Sequence, residues 1–89
     1  DIEALTDIHN KLIELFRKLE EVIKNPTKKE RNTLKIMEDK IYKLIKEYFN
    51  IHVEKLQAED DYQGSVFIDA ISIIELSVSK VREIRKIYD

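Results

Sequence analysis

The segment VIKNPTKKE, Val22 to Glu30, decides the fold, because it ends one helix and begins another within a few residues. Pro26 disfavours the α conformation at Asn25, so a helix that arrives from the N-terminal side stops there. Thr27 and Glu30 have the spacing of a capping box, in which each side chain accepts a hydrogen bond from the backbone amide of the other residue. Two helices joined by so short a connection run antiparallel.

Apolar residues recur at steps of three and four on both sides of this segment, which is typical of amphipathic helices. A helix is predicted for residues 2–25, with an apolar face made of Leu5, Ile8, Leu12, Leu15, Leu19 and Val22, widened by Ile13, Phe16 and Ile23. A helix is predicted for residues 27–59, with an apolar face made of Leu34, Met37, Ile41, Leu44, Tyr48 and Ile51.

A third helix is predicted for residues 61–88. Asp60 or Asp61 is in position to cap it. Its apolar face is Phe67, Ala70, Ile74, Ser77, Val81, Ile84 and Tyr88, with Ile74 at the centre. The predicted fold class is therefore all-α, an up-down-up antiparallel three-helix bundle in which helices 2 and 3 form a long hairpin. We expect a single helical-bundle domain over residues 1–89.

The composition favours a small globular protein of the cytoplasm. Charged residues make up 38% of the chain and hydrophobic residues 43%, a mixture too apolar for disorder and too polar for a membrane protein. Cysteine is absent, so the chain has neither disulfides nor thiolate chemistry. No run of about 18 apolar residues suggests a membrane-spanning helix, and we expect no membrane partner.

The segment SVFIDAISIIEL, Ser65 to Leu76, is the most apolar stretch of the chain. Pairing residues across the two tight turns predicts that the helix 2 and helix 3 hairpin projects beyond the start of helix 1. A helix that is apolar nearly all round is buried on more than one side, so we expect an interface with a second chain. Its predicted residues are His52, Val53, Leu56, Val66, Phe67, Ile68 and Ile71. The alternative is that helix 3 is the central and most buried helix of a monomer.

The turn QAEDDYQGSVF, preceded by EYF, resembles a small archaeal helical family of unknown function, number 357 among the domain-of-unknown-function families. Tyr48-Phe49 match the paired aromatics of that family, and Asp61-Tyr62 match the end of its turn. The similarity covers roughly residues 35–80. The chain departs from the family's Tyr-Ala-His-Gly run, since residues 71–74 read ISII. The resemblance implies a helical fold rather than a particular activity.

Residues that would carry catalysis or bind a metal are sparse. The two histidines, His9 and His52, lie outside any Glu-x-x-His motif and are predicted to be too far apart to share a metal ion. Adjacent carboxylates such as Glu38-Asp39 are interpreted as a solvated face or caps. We therefore expect a non-catalytic protein, with no cofactor and no metal site.

The charges are unevenly distributed. The end of the bundle formed by residues 17–25, 27–40 and 78–89 carries a net charge of +5, whereas the remainder carries −7. Such a basic pole can attract phosphate groups. The candidate anion-binding residues are Lys28, Lys29, Arg31, Arg82, Arg85 and Lys86.

Two functions follow from these patterns. The first is a protein-interaction or oligomerisation module, which forms a homodimer or binds another protein. The alternative is a nucleic-acid or anion-binding module that uses the basic pole. Nucleic-acid binding through screened phosphate contacts would be weak and would fade with salt.

Overall fold

A computed structural model shows three α-helices, α1 (Ile2–Lys24), α2 (Lys28–Ala58) and α3 (Gln63–Ile87). The structure describes residues 2–58 and 63–89, and the side chains of residues 3–51, 54 and 68–89. Each helix contacts the other two, and the described residues contain no strand. The predicted all-α three-helix bundle is confirmed. The predicted capping residues Asp60 and Asp61 lie outside the described part of the chain.

The connection between α1 and α2 contains half of the predicted capping box. The backbone amide of Glu30 donates to the Thr27 hydroxyl at 3.2 Å. The reciprocal bond is replaced, because the Thr27 amide donates to the carbonyl of Asn25 at 2.8 Å. The Glu30 carboxylate instead lies 2.6 Å from the ammonium of Lys18. The Glu30 carboxylate therefore forms an ion pair between α2 and α1 instead of accepting the hydrogen bond from the Thr27 amide.

The hairpin of α2 and α3 has the predicted antiparallel register. Arg82 and Arg85 of α3 both reach Glu38 of α2, and Arg31 reaches the carbonyl of Tyr88. At 31 residues, α2 is eight residues longer than the 23-residue α1. The long second helix is therefore confirmed.

The core is an apolar seam along the inner faces of all three helices. Its fully buried hydrophobic residues are Ala4, Ile8, Leu15, Leu19, Val22, Leu34, Ile41, Ile45, Ile71, Val78 and Val81. On α3 the core face is centred on Ile71, Val78 and Val81, whereas the predicted centre, Ile74, is only partly buried. The sequence prediction therefore placed the buried face of α3 on the wrong side of Ile74. The buried face continues from Val81 to Arg85, and a charged residue at that position interrupts the apolar spacing on which the prediction relied.

Several apolar residues assigned to the core are exposed. Ile13, Phe16 and Ile23 of α1 and Ile51 of α2 each keep a third or more of their surface in contact with solvent. A helix in a bundle of three buries only the face that points at its two neighbours. Side chains at the edges of a broad apolar face therefore remain outside the seam.

Candidate functional site

The first candidate surface lies on the back of α3. Ile73 is 66% exposed and Leu76 is 59% exposed, although both are large and apolar. Helix geometry turns them roughly 140–160° away from the buried Val78. The segment that is unusually apolar in the sequence therefore has two apolar faces, one inside the bundle and one in solvent.

Two large apolar residues of α2 are exposed as well, on nearly opposite sides of that helix. Phe49 and Ile51 are exposed, and Phe49 shares an open groove with Glu75 of α3. The residues that line this groove are Tyr42, Ile45, Lys46, Phe49 and Glu75. We call Ile73 and Leu76, on the back of α3, the apolar band.

The residues predicted to form the interface have different positions. Ile71 is buried in the core, because its side chain points along the seam formed with α1 and α2. It is therefore a core residue rather than part of an open surface. Ile68 is half-buried. The side chains of the remaining predicted interface residues lie outside the described part of the chain, namely those of His52, Val53, Leu56, Val66 and Phe67.

The second candidate surface is a cluster of ion pairs around Glu38. Glu38 is 0% exposed and Arg85 is 6% exposed. The Nε of Arg85 donates to Glu38 Oε2 at 2.7 Å and its Nη2 donates to Oε1 at 3.3 Å. Arg82 Nε donates to the same Oε1 at 3.1 Å. The Glu38 carboxylate is consequently bonded to two guanidinium groups, and the side-chain hydrogen bond from Arg85 is the main reason that the pKa of Arg85 is raised.

Three further residues extend this cluster to the surface. Arg82 Nη2 donates to Asp39 at 3.0 Å, and its guanidinium carbon lies 4.7 Å from the centre of the Tyr42 ring, within the range of a cation–π interaction. Arg85 Nη1 donates to Asp89 at 2.9 Å. Arg31 Nε lies 3.9 Å from Asp89. We call Arg31, Glu38, Asp39, Arg82, Arg85 and Asp89 the charged cluster.

The charged cluster changes the interpretation of the basic pole. Three of its members are arginines and three are carboxylates, so the cluster has no formal net charge. The predicted anion-binding residues Arg31, Arg82 and Arg85 all belong to it. The other three, Lys28, Lys29 and Lys86, are exposed. Half of the six predicted cations therefore already hold carboxylates of the same chain.

Glu38 was missed as a core residue because it was grouped with its neighbour Asp39. A signal was present, since Glu38 is four residues after Leu34 and three before Ile41, which is core spacing. The predicted pairing of helices 2 and 3 also placed position 38 opposite position 82. This pattern is typical of a buried ion pair. A carboxylate occupies a position in the apolar repeat of one helix, and an arginine occupies a position in the repeat of the neighbouring helix at the same level.

The described residues contain no group of three or more His, Cys, Asp or Glu side chains that could hold a metal ion. His9, one of the two histidines, is exposed on α1. None of the three helices, over the described part of the chain, combines the length and the apolar character that crossing a bilayer requires.

The fold and its side chains define an antiparallel three-helix bundle, with a buried ion cluster between α2 and α3 and the apolar band on the outer face of α3. Comparison of the chain with protein-family models, curated proteins and solved structures finds no match. The resemblance to the archaeal helical family stays a prediction.

Proposed function

We propose that this protein is a non-catalytic protein-interaction module that assembles as a homodimer through the back of α3. The observation that carries the proposal is the exposure of two neighbouring large apolar residues, Ile73 and Leu76. Neighbouring apolar residues that remain in solvent mark contact surfaces more often than isolated ones do. A symmetric dimer is the commonest closed assembly of soluble chains.

Burial of this surface contributes a modest free energy of association, which is sufficient for a weak dimer. Complete burial of a large aliphatic side chain contributes about 1.5–3 kcal/mol. A dimer through the back of α3 buries Ile73 and Leu76 from both chains. Since association also costs translational and rotational freedom, we expect a dimer with a dissociation constant in the micromolar range.

The alternative function, binding of a nucleic acid or another anion, has less support. Three of its six candidate residues, Arg31, Arg82 and Arg85, are engaged by Glu38, Asp89 and the Tyr88 carbonyl. We also propose a cytoplasmic location, on the basis of the cysteine-free and charge-rich composition.

The proposal is tested by static light scattering of the purified protein from low to high micromolar concentration. The unmodified chain should shift towards twice its 10.6 kDa mass as the concentration rises. Leu76→Lys should remain monomeric with unchanged helical circular dichroism, because an exposed lysine is compatible with the helix but not with an apolar contact.

Ile36→Lys provides the matched control. Ile36 is 55% exposed on α2 and lies outside the apolar band, so the same substitution there should leave dimerisation intact. A monomeric unmodified chain at high micromolar concentration would overturn the homodimer. Equal loss of dimer in both variants would show that added positive charge, rather than the apolar band, controls association.

A further inference from the structure

The back of α3 carries a second periodic seam with a specific charge order. Asp69, Ile73, Leu76 and Lys80 follow one another at steps of four, three and four, which places them on one face. All four are exposed. A seam with this spacing is the contact line of paired helices, and here an acidic residue stands at one end and a basic residue at the other.

We propose that α3 of a second copy of this chain packs antiparallel on this seam, with Ile73 of each chain against Leu76 of the other. This register rests on the proposed homodimer. The midpoint between positions 73 and 76 is also the midpoint between positions 69 and 80, so the same two-fold axis places Asp69 of each chain beside Lys80 of the other. One register therefore satisfies both the apolar and the charged residues.

The charge order distinguishes this arrangement from a parallel one. In a parallel pair every residue faces its own copy, so Asp69 would face Asp69 and Lys80 would face Lys80. Like charges at facing positions are destabilising, and such contacts select against the wrong pairing. The antiparallel pair replaces two repulsive contacts with two attractive contacts while keeping the apolar layers.

The residues beside the seam permit close approach. Ser72 and Ser77 flank it, and both are small. The Ser72 hydroxyl donates to the carbonyl of Ile68 at 3.0 Å, and the Ser77 hydroxyl donates to the carbonyl of Ile73 at 3.1 Å. Because each hydroxyl already donates within its own helix, covering these serines leaves no unpaired donor in the interface.

Lys80 can take part without losing a strong bond. In the described part of the chain Lys80 pairs with Glu83 of the same helix, at 3.4 Å, and both side chains are exposed. Exposed pairs of this kind contribute little. The ammonium of Lys80 can therefore turn to Asp69 of a second copy, or be shared with it, at little cost.

Charge reversal tests the pairing. Asp69→Lys or Lys80→Asp alone should weaken dimerisation about tenfold, because each variant converts two attractive contacts into two repulsive ones. The double variant Asp69→Lys with Lys80→Asp restores opposite charges at both contacts and should return the dissociation constant to within about threefold of the unmodified value. Failure of the double variant to recover would overturn the pairing.

A distance measurement tests the direction. The chain contains no cysteine, so a spin label can be attached at Ile87→Cys, an exposed position near the C-terminal end of α3. An antiparallel pair centred between positions 73 and 76 separates the two residues 87 by about 37 Å along the helix axis. Pulsed electron resonance should find a distance near this value, whereas a parallel pair would place the labels within about 15 Å.

The two tests separate this register from the proposed function. A dimer that persists in Ile73→Lys and Leu76→Lys would overturn the α3 seam but not dimerisation, and the exposed Phe16 side of α1 would then be the surface to test. A dimer with a short label distance would overturn the antiparallel register alone. A chain that remains monomeric throughout would overturn both.

Discussion

The charged cluster and the apolar band lie at different levels of the bundle, and they differ in whether their side chains find partners within one chain. In the charged cluster, the buried Glu38 carboxylate has its partners within one chain, on Arg82 and Arg85. In the apolar band, Ile73 and Leu76 have no comparable cover. The first region therefore fixes how one chain folds, whereas the second is the surface on which the proposed dimer depends.

A buried ion cluster is a costly way to gain stability but an effective way to fix register. Removing charged groups from water costs nearly as much free energy as their mutual attraction returns. Apolar residues of similar volume would therefore often stabilise the fold equally well. Sliding α3 by one heptad against α2 would, however, separate Glu38 from both guanidinium groups and leave the buried charges unpaired. The apolar layers of Ile71 and Val78 tolerate such a slip better, because Ile and Val are similar in shape. We interpret the cluster as the feature that sets the hairpin register.

The largest effect is expected from Glu38→Ala, which breaks the charged cluster at its centre. The substitution leaves Arg85 buried without its main partner, and loss of one member of a buried pair costs about 3–5 kcal/mol. Urea denaturation followed by circular dichroism measures the loss.

Asp39→Ala is the control for this prediction. It removes the neighbouring carboxylate, which is exposed and pairs with Arg82 at the surface, and should cost about 1 kcal/mol or less. Similar losses in both variants would mean that Glu38 is no more buried than Asp39. If Glu38→Ala does not fold, Glu38→Gln keeps the volume and two of the acceptor contacts, and should fold with reduced stability.

The second prediction compares the two apolar faces of α3. Ile71→Ala removes a fully buried side chain and should cost about 2–5 kcal/mol. Ile74→Ala should cost less, because Ile74 is only partly buried. Ile73→Ala should change the stability of the monomer by about 0.5 kcal/mol or less. Denaturation at low protein concentration, where the chain is monomeric, measures all three.

The order of these three losses is the decisive result. A cost for Ile73→Ala equal to that of Ile71→Ala would mean that α3 is rotated from the position described. The series would then place the apolar band inside the bundle and remove the surface on which the proposed dimer depends.

Much of the fold could be predicted from the sequence because local signals agree. Pro26 and Thr27 set the first helix boundary, and the spacing of Leu15, Leu19 and Val22 set the buried face of α1. The predicted pairing across the second turn brought position 38 opposite position 82. These features depend on neighbouring residues or on simple helix geometry.

The site could be predicted only in part, for two physical reasons. An exposed and a buried apolar side chain look alike in a sequence, so Ile71 and Ile73 could not be separated until the rotation of α3 was known. Buried charges interrupt the apolar period that defines the rotation, and Glu38 and Arg85 do this on both helices. Tertiary pairing, rather than residue type, decides which charges are buried.

The smallest effect is expected from the link between α1 and α2, the partly buried bridge of Lys18 and Glu30. Lys18 Nζ lies 2.6 Å from Glu30 and 2.9 Å from Glu21. The hydrogen bond from Lys18 lowers the pKa of Glu30, and the hydrogen bonds to Glu30 and Glu21 raise the pKa of Lys18. This bridge is less buried than the Glu38 carboxylate of the charged cluster, and salt should weaken it more.

The two pKa directions predict where the bridge loses its effect. A lowered carboxylate pKa stabilises the fold above the unfolded value of about 4.3, and that stabilisation disappears as the pH falls through the lower folded value. A raised lysine pKa stabilises below about 10.4, and that stabilisation disappears as the pH rises through the higher folded value. The bridge should therefore contribute fully only between these two limits.

The measurement is a comparison of the unmodified chain with Glu30→Gln by urea denaturation across the pH range. The amide keeps the backbone cap, since the Glu30 amide and the Thr27 hydroxyl are unchanged. The stability difference should be largest near neutral pH, shrink at acid pH where Glu30 is protonated, and shrink again in 1 M salt. A difference that is independent of both pH and salt would show that Glu30 acts through packing rather than charge, and that the link between α1 and α2 resembles the apolar seam more than the charged cluster.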